Sequence, residues 1–238
     1  MSAIESLSPC RDIEDIMVRE LEEDIIFGRL EPGSRLTEDA LLERFGGTRH
    51  FVRRALVRLE QLGIVVLRRN RGASVRSFSA GEVEEIYEVR EMLQRQAALK
   101  IILPAAPELV QSLQDINARY LTAIQAGDLR GIHELNDQFH LTMFAACGNS
   151  HLSRLVQQYM DITLPIRAAN LANPDLLAVS YQQHQLMIRY LQGHDSWQLA
   201  ELCVDHLRPS KEDYLRRISQ NSQASDRRIV PVTSRGRS

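Results

Sequence analysis

Three histidines on separate predicted helices are the residues of this chain best suited to bind a metal ion. His140 follows Asn136 by four residues, so the two lie on one helix face, and that face is otherwise apolar. His184 and His206 lie on apolar faces of two later predicted helices. One histidine on such a face is usually a hydrogen-bonded core residue, but three favour a shared role. Converging imidazoles with one oxygen ligand make a site for a first-row transition metal.

A cluster of arginines nearer the N-terminus is suited to binding a polyanion. Residues 44–76 contain nine arginines and one acid, whereas residues 1–43 contain four arginines and twelve acids. Arg49 and Arg53 share one face of a predicted helix, with Arg54 beside them. Arginine binds guanine edges or phosphates, and His50 at the helix start can meet a phosphate. An arginine-rich face can also be merely solvated, but the scarcity of acids within this stretch favours contact with DNA.

The elements that position these arginines are predicted to form a winged helix-turn-helix. Apolar stripes indicate three helices, with Thr48 as the N-cap of the third, and two β-rich runs form a hairpin whose turn contains Arg71 and Gly72. The predicted bounds are residues 11–28, 38–45 and 49–62 for the helices and 64–68 and 73–78 for the strands. A recognition helix must present polar side chains to the groove while its other face packs on the domain.

From Ser79 onward the hydrophobic pattern is helical throughout. Ser79 and Glu82 have capping-box spacing, and glycine- and proline-containing joints separate about six helices. The later helices are predicted at residues 107–126, 128–146, 151–172, 174–192 and 196–219. The sequence therefore predicts a mainly α protein. Its parts are a winged helix-turn-helix with a small β-hairpin over residues 8–78, an all-helical bundle over 79–219, and a polar, disordered tail over 220–238.

The composition is that of a soluble globular protein, with 44% hydrophobic and 25% charged residues. No apolar run approaches the ~18 residues of a membrane span, and the N-terminus lacks the pattern of a signal peptide. The three cysteines are far apart and indicate no disulfide framework. We therefore expect a cytoplasmic protein with no membrane partner.

The run from Gly28 to Val75, GRLEPGSRLTEDALLERFGGTRHFVRRALVRLEQLGIVVLRRNRGASV, resembles the winged helix-turn-helix of GntR-type regulators. Its prolines, glycines, arginines and apolar positions keep the family spacing without gaps. The resemblance implies DNA contacts at Thr48, Arg49, Arg53, Arg71 and Gly72. The departures are Asp39 for Arg, Gly47 for Val, His50-Phe51 for Thr-Pro, and Arg54 for Glu. We expect these changes to alter the preferred operator and to leave DNA binding intact.

The helical half is similar to the FCD effector domain that follows such winged helices in the FadR-like subfamily, and six helices fit its shorter, VanR-like variant. That domain binds a metal through Asp or Asn, a His four residues later, and two further His. The resemblance implies the metal ligands Asn136, His140, His184 and His206. It also implies that Arg90 binds the carboxylate of an effector, although Gln94 replaces the Glu that usually follows.

Asn136 in place of Asp has a chemical consequence for the metal. Three neutral imidazoles and a carboxamide leave the charge of a divalent ion uncompensated, so we expect weaker metal retention and direct binding of a carboxylate effector. Asp137, about 100° around the helix from Asn136, is an alternative ligand. His133, on the same face as Asn136 and His140, is another. The identity of the metal stays open among zinc, nickel and manganese.

The favoured function is a sequence-specific DNA-binding transcriptional regulator, a repressor whose operator affinity is set by a small organic acid. As a homodimer it would place two recognition helices on a pseudo-palindromic double-stranded operator. Two alternatives stay open, namely a metalloenzyme with a DNA-binding appendage and a DNA-binding protein with a purely structural metal. The enzyme is disfavoured because no Glu beside the histidines supplies a general base.

Overall fold

The chain folds into an N-terminal winged helix-turn-helix and a C-terminal helical bundle, which confirms the predicted fold class. This computed structural model describes residues 9–68, 72–168, 170–171 and 173–226. The N-terminal elements are α1 (Pro9–Ile26), β1 (Arg35–Leu36), α2 (Glu38–Phe45), α3 (Arg49–Gln61), β2 (Val65–Arg68) and β3 (Gly72–Val75). The bundle comprises α4 (Ala80–Leu99), α5 (Pro107–Ala126), α6 (Leu129–Ala145), α7 (Ser150–Ile162), α8 (Leu164–Ala168), α9 (Pro174–Leu191), α10 (Ser196–Asp205) and α11 (Arg208–Asp226).

The small sheet contains three antiparallel strands in the order β1-β3-β2. The predicted hairpin is present as β2 and β3, with Val65 opposite Val75. The sequence did not indicate β1, because two residues are too short to show an alternating pattern; Arg35 pairs with Ser74. The sheet packs with α1 and α3 in a core that includes Met17, Leu21, Val52, Leu56, Leu59 and Val65. This core fixes the orientation of α3 and hence of its arginines.

Local capping explains where the helices begin. Thr37 accepts a hydrogen bond from the Ala40 amide at 3.3 Å, and the Ser79–Glu82 capping box forms in both directions. Thr48 is the N-cap of α3 in backbone conformation but makes no side-chain capping hydrogen bond. The residue is exposed.

The described part of the bundle has eight helices, α4 to α11, where the sequence predicted about six. Both additional breaks coincide with a proline. Pro165 is the second residue of α8 and Pro209 is the second residue of α11, because proline has no N–H for the helical hydrogen bond and is tolerated only in the first turn of a helix. At the first break the Thr163 hydroxyl donates to the Tyr159 carbonyl at 2.8 Å, beside the longer backbone hydrogen bond from the Thr163 N–H at 3.4 Å.

The short helix α8 is shared by three packing environments. Leu164 and Ala168 belong to the core of the winged helix-turn-helix. Ile166 packs in a separate cluster with Tyr87 and Tyr214. Arg167 faces a cavity of the helical bundle. A rotation or shift of α8 therefore changes packing on both sides of the domain boundary.

Close contacts join the two domains at further points. A Cβ atom added at Gly63, whose φ is +75°, would lie 2.8 Å from the Ile162 side chain, so the chain needs glycine at this approach. Arg130 of α6 forms an ion pair with Glu23 of α1 at 2.7 Å. The winged helix-turn-helix is therefore docked against α6, α7 and α8.

Two sequence predictions fall near the limits of the described residues. Helix α11 continues to Asp226, beyond Ser219, where the sequence placed the end of the helical domain. Residues 227–238 and the predicted DNA contact Arg71 lie outside the described residues.

Among the helices that the structure describes, none is both long and apolar enough to cross a membrane.

Candidate metal centre and nucleic-acid interface

Three histidines from different parts of the bundle converge on one point. The Nε2 atom of His140 on α6 lies 3.0 Å from that of His206, the residue after α10, and 3.3 Å from that of His184 on α9. The possible ligand atoms of the three side chains all lie within 4.8 Å of one another. Helices α6, α9 and α10 thus bring together the three predicted histidine ligands.

Amide oxygens orient two of these imidazoles. Asn117 Oδ1 lies 3.2 Å from His184 Nδ1, and Gln183 Oε1 lies 2.7 Å from His206 Nδ1. An amide oxygen only accepts hydrogen bonds, so each Nδ1 carries the proton and each Nε2 presents its lone pair to the centre. A hydrogen bond that fixes the ring and its tautomer is the usual support for a metal-binding histidine.

The electrostatic surroundings keep the imidazoles neutral. Burial, followed by the neighbouring histidines, lowers the pKa of His184 well below its ordinary value, and burial with nearby cationic groups does the same for His140. Burial, together with Arg90 and Arg167, lowers the pKa of His206 to about 4. Three neutral nitrogen donors at this spacing fit a divalent first-row metal such as zinc, nickel or manganese.

Asn136 lies beside the histidine cluster on the lining of the same cavity. Its amide nitrogen donates to Asp137 Oδ1 at 3.2 Å, and its amide oxygen is the predicted oxygen ligand. Asp137 itself binds Arg167 through contacts of 2.6 and 3.1 Å. The alternative ligand His133 lines the cavity and lies 3.8 Å from Asp137, but it is not part of the histidine cluster.

The cavity next to the histidines is small and cationic. Its volume is about 90 Å³, and two arginines, Arg90 and Arg167, line it without an acid among the lining residues. Arg90 is buried beside Gln94, and its Nε and Nη1 atoms have no hydrogen-bond partner among the described residues. Burial lowers the pKa of Arg90 to about 10, so the guanidinium is still charged at neutral pH. This arrangement can bind an anion.

The second candidate site is the exposed face of α3. Arg49, Arg53 and Arg54 have side chains that are more than half exposed. The other described candidates, Thr48, His50 and Gly72, are also exposed. Since α3 is the second helix of the helix-turn-helix, this face is the one that can enter a major groove.

The arginines on this face are paired with acids from other elements. Arg49 contacts Asp39 at 2.7 Å, and Arg53 contacts Glu38 at 2.7 Å. Arg54 forms an ion pair with Glu14 at 2.9 Å. The sequence argument that residues 44–76 lack acids for pairing was incomplete, because α1 and α2 supply the acids. Binding of DNA has to exchange these contacts for contacts with phosphates or bases.

Several residues of the bundle site were missed by sequence reasoning. These are Asn117, Gln183, Arg167 and Asn170. Asn117 and Arg167 lie far along the chain from their partners, so no spacing signals their role. Gln183 directly precedes His184, yet its partner is His206. Only the packing of the helices brings these side chains to the site.

The chain belongs to the GntR family of bacterial regulatory proteins and carries an FCD domain. Residues 15–75 match the GntR family of bacterial regulatory proteins, and residues 85–209 match the FCD domain. The protein is therefore a DNA-binding transcriptional regulator.

Named relatives belong to the same class. The chain is 28% identical over 167 residues to the HTH-type transcriptional regulator YdhC of Bacillus subtilis, covering 70% of this chain and 75% of that protein. It is 29% identical over 153 residues to the HTH-type transcriptional repressor RspR of Escherichia coli, covering 62% of this chain and 65% of that protein. These relatives are regulators, so the comparisons give no support to the metalloenzyme alternative.

Solved structures share the fold. The chain is similar to McbR/YncC of E. coli, with a TM-score of 0.68 at 21% identity, covering 91% of this chain and all of that one. It is also similar to a GntR transcriptional regulator from Rhodococcus sp. RHA1, with a TM-score of 0.65 at 19% identity, covering 87% of this chain and 97% of that one.

Proposed function

We propose that this regulator is a repressor whose affinity for its operator is controlled by a small carboxylate bound at a metal site in the helical domain. The observation that carries the proposal is the juxtaposition of three convergent imidazoles with the buried guanidinium of Arg90, whose Nε and Nη1 have no hydrogen-bond partner among the described residues. Neutral nitrogen donors bind a metal, and the guanidinium binds the anion that completes the site. The relative named as a repressor supports this direction of regulation.

His140, His184 and His206 would hold the metal, with Asn136 as the oxygen ligand. A bound divalent metal would supply a Lewis-acidic attachment point for a carboxylate oxygen. Arg90 binds and orients the acid through its Nε and Nη1 groups. Asn117 and Gln183 hold two of the imidazoles in the tautomer that the site requires.

The recognition surface would comprise Thr48, Arg49, His50, Arg53 and Arg54 of α3 with Arg71 and Gly72 of the wing.

As a homodimer the protein would bind two half-sites of a pseudo-palindromic operator. Met92 on α4 and Leu155 on α7 are exposed apolar residues on two helices that pack together, and they offer a surface for the second copy. Sedimentation of Met92→Lys and Leu155→Lys tests this, since a charge at the interface should shift the protein towards monomer.

The regulatory proposal is tested by fluorescence anisotropy on DNA from around the protein's own gene. The protein is measured without metal, with zinc, nickel or manganese, and with metal plus a panel of small organic acids. We expect the acid to lower DNA affinity in wild-type protein and to have no effect in His184→Ala. His194→Ala, an exposed histidine outside the cavity, is the matched control and should respond as the wild type does. An unchanged DNA affinity under all these conditions would contradict the proposal.

A purely structural metal is the second candidate function for the bundle site. The burial of His140 and His184 favours it, because structural metal sites are closed to solvent. Thermal-shift measurements distinguish a structural metal from a metal that binds an effector. Stabilisation by metal alone, with no further effect of any acid, indicates a structural role, whereas additional stabilisation by an acid indicates a sensor.

A further inference from the structure

Two arginines of the small sheet carry positive charge that no acid of the described structure compensates. Arg35 of β1 and Arg68 of β2 are exposed, and neither forms an ion pair or a side-chain hydrogen bond with any residue that the structure describes. The arginines of α2 and α3 differ from them in this respect. Each of those forms an ion pair with an acid of α1 or α2, as is seen for Arg44, Arg49, Arg53, Arg54 and Arg58.

The register of the sheet places Arg35 and Arg68 on the same face. Arg35 lies opposite Ser74 of β3, and Arg68 lies opposite Gly72 of the same strand. Residues directly opposite each other, and residues two positions apart on a strand, point to the same face of a sheet. Ala73, between Gly72 and Ser74, is buried in the core, so both arginines point to the solvent side.

The strand order fixes the separation of the two arginines. They lie on the two outer strands, β1 and β2, so roughly 10 Å of strand spacing and about 7 Å along the strands lie between their Cα atoms. Each long side chain can therefore reach an anionic group of its own. This spacing fits an extended polyanion with repeated phosphates better than one small anion.

The surface around these side chains is free of negative charge. Arg35, Arg68, Gly72 and Ser74 line one concave surface, and no acid is among the described residues that line it. The chain also carries Arg69 and Arg71 in the turn between β2 and β3, outside the described residues. The electrostatic character of this surface is therefore cationic.

We propose that this solvent side of the sheet, the wing face formed by Arg35 and Arg68, binds the phosphate backbone of double-stranded DNA. Continuity with the proposed recognition surface identifies DNA as the polyanion, because Gly72 belongs to both surfaces. Phosphate contacts position a protein on the duplex and carry no sequence information directly. The wing face thus supplies nonspecific attraction, whereas the arginines of α3 have to leave their acids before they bind. This division of roles goes beyond the proposed control by a carboxylate and does not depend on it.

The salt dependence of DNA binding tests the proposal. Fluorescence anisotropy of the full chain is measured between about 50 and 200 mM salt, on DNA from around the protein's own gene and on an unrelated duplex. In Arg35→Gln and in Arg68→Gln we expect the slope of log affinity against log salt to be less steep by about 0.9, because one phosphate contact is lost. Affinity near 0.1 M salt should fall by about three- to tenfold on both DNAs, so the specificity ratio is unchanged.

Two control variants separate a phosphate contact from a general effect of charge or folding. Arg119→Gln removes an exposed arginine from α5 of the other domain and should keep the wild-type slope. Arg68→Lys keeps the charge and should keep most of the slope, since lysine also binds phosphate. Thermal unfolding of all four variants should match the wild type, because the substituted side chains are exposed.

Three results would overturn the inference. The first is a wild-type slope in both Arg35→Gln and Arg68→Gln, which would favour a partner other than DNA for the wing face. The second is an equal change of slope in Arg119→Gln. The third is a loss of affinity confined to the DNA from around the gene, which would indicate base readout.

Arg53→Gln, measured on the same two DNAs, distinguishes this inference from the proposed recognition surface. We expect it to weaken binding to the DNA from around the gene more than binding to the unrelated duplex. If it changes neither affinity while the two wing-face variants lower the slope, the recognition role of α3 falls and the wing face stands. If it changes the specificity ratio while the wing-face variants keep the wild-type slope, the recognition role stands and the wing face falls.

Discussion

At the scale of single residues, the histidine cluster depends on amides that touch no metal. Gln183 Oε1 accepts from His206 Nδ1 at 2.7 Å and so determines which imidazole nitrogen faces the centre. Gln183→Met keeps the size of the side chain and removes the acceptor. We expect metal affinity to fall by about 10- to 100-fold. Competition with a chelating dye measures it, with Gln185→Met on the exposed side of α9 as the control. An affinity equal to that of the wild type would show that the hydrogen bond does not orient the ring.

Asn136 offers a second residue-scale prediction. Asn136→Asp places a carboxylate beside the histidines and compensates part of the charge of a divalent ion. We expect tighter metal binding, by about 10-fold or more, and weaker binding of a carboxylate effector, because the effector then competes with a fixed anion. Metal titration and acid titration of the same variant give the two values. A variant that binds both ligands more tightly, or neither differently, contradicts this account of the position.

Spacing within the sequence identified the histidines but not their partners. A histidine on an apolar helix face is visible from periodicity, so His140, His184 and His206 could be proposed as one group before the fold was known. Asn117 lies 67 residues from His184, and Arg167 lies 30 residues from Asp137. No local pattern predicts such contacts, because they arise only when the chain brings α5 to α9 and α8 to α6. For the same reason, the sequence did not indicate which acids pair with the arginines of α3.

At the scale of elements, α8 is the piece of the effector domain that supports the DNA-binding domain. Leu164→Ala removes a side chain that is 4% exposed from the core of the winged helix-turn-helix. We expect the free energy of unfolding to fall by about 2–4 kcal/mol. We also expect faster amide hydrogen exchange in α1 and α3, although the mutation lies in the other domain. Leu191→Ala, in the main core of the bundle, is the matched control. Leu191→Ala should lower the free energy of unfolding by a similar amount and leave amide hydrogen exchange in α1 unchanged. If both variants changed exchange in α1 equally, this role of α8 would be contradicted.

Two carboxyl groups, Glu22 on α1 and Asp161 on α7, have raised pKa values. Burial and then Asp161 raise the pKa of Glu22 to about 7, against an opposing effect of Arg58. Burial and Asp137 raise the pKa of Asp161 to about 6, against an opposing effect of Arg167. A raised pKa means that the folded state holds a proton that the unfolded state has released. The free energy of unfolding should therefore fall as pH rises from about 4.5 to about 7.

Glu22→Gln removes most of that dependence. We expect the variant to match the wild type near pH 4.5 and to be more stable at pH 8, by on the order of 1–3 kcal/mol. Urea unfolding across this pH range measures the difference. Glu85→Gln, an exposed position on α4, is the control and should follow the wild type. If the free energy of unfolding depended on pH in Glu22→Gln as it does in the wild type, the raised pKa of Glu22 would not be the cause of that dependence.

At the scale of the whole molecule, the chain separates its charges in sequence and recombines them in space. The acid-rich residues 1–43 supply α1 and α2, and these helices pair with the arginines of α3. The recognition face is thus less positive than its sequence indicates. Nonspecific attraction to DNA is reduced, because each arginine of α3 that binds a phosphate first leaves an acid. Specific base contacts then make up a larger share of the total affinity.

Asp39 tests this balance, because it contacts Arg49 at 2.7 Å. Asp39→Asn removes the negative charge and frees Arg49. We expect affinity for unrelated DNA to rise by roughly three- to tenfold near 0.1 M salt, with a salt dependence steeper by up to about 0.9 in slope. Affinity for the operator should rise less, so the specificity ratio falls. Asp115→Asn, an exposed acid on α5, should change neither value. If Asp39→Asn binds unrelated DNA no better than Asp115→Asn does, the acids on this face do not restrain its binding to phosphates.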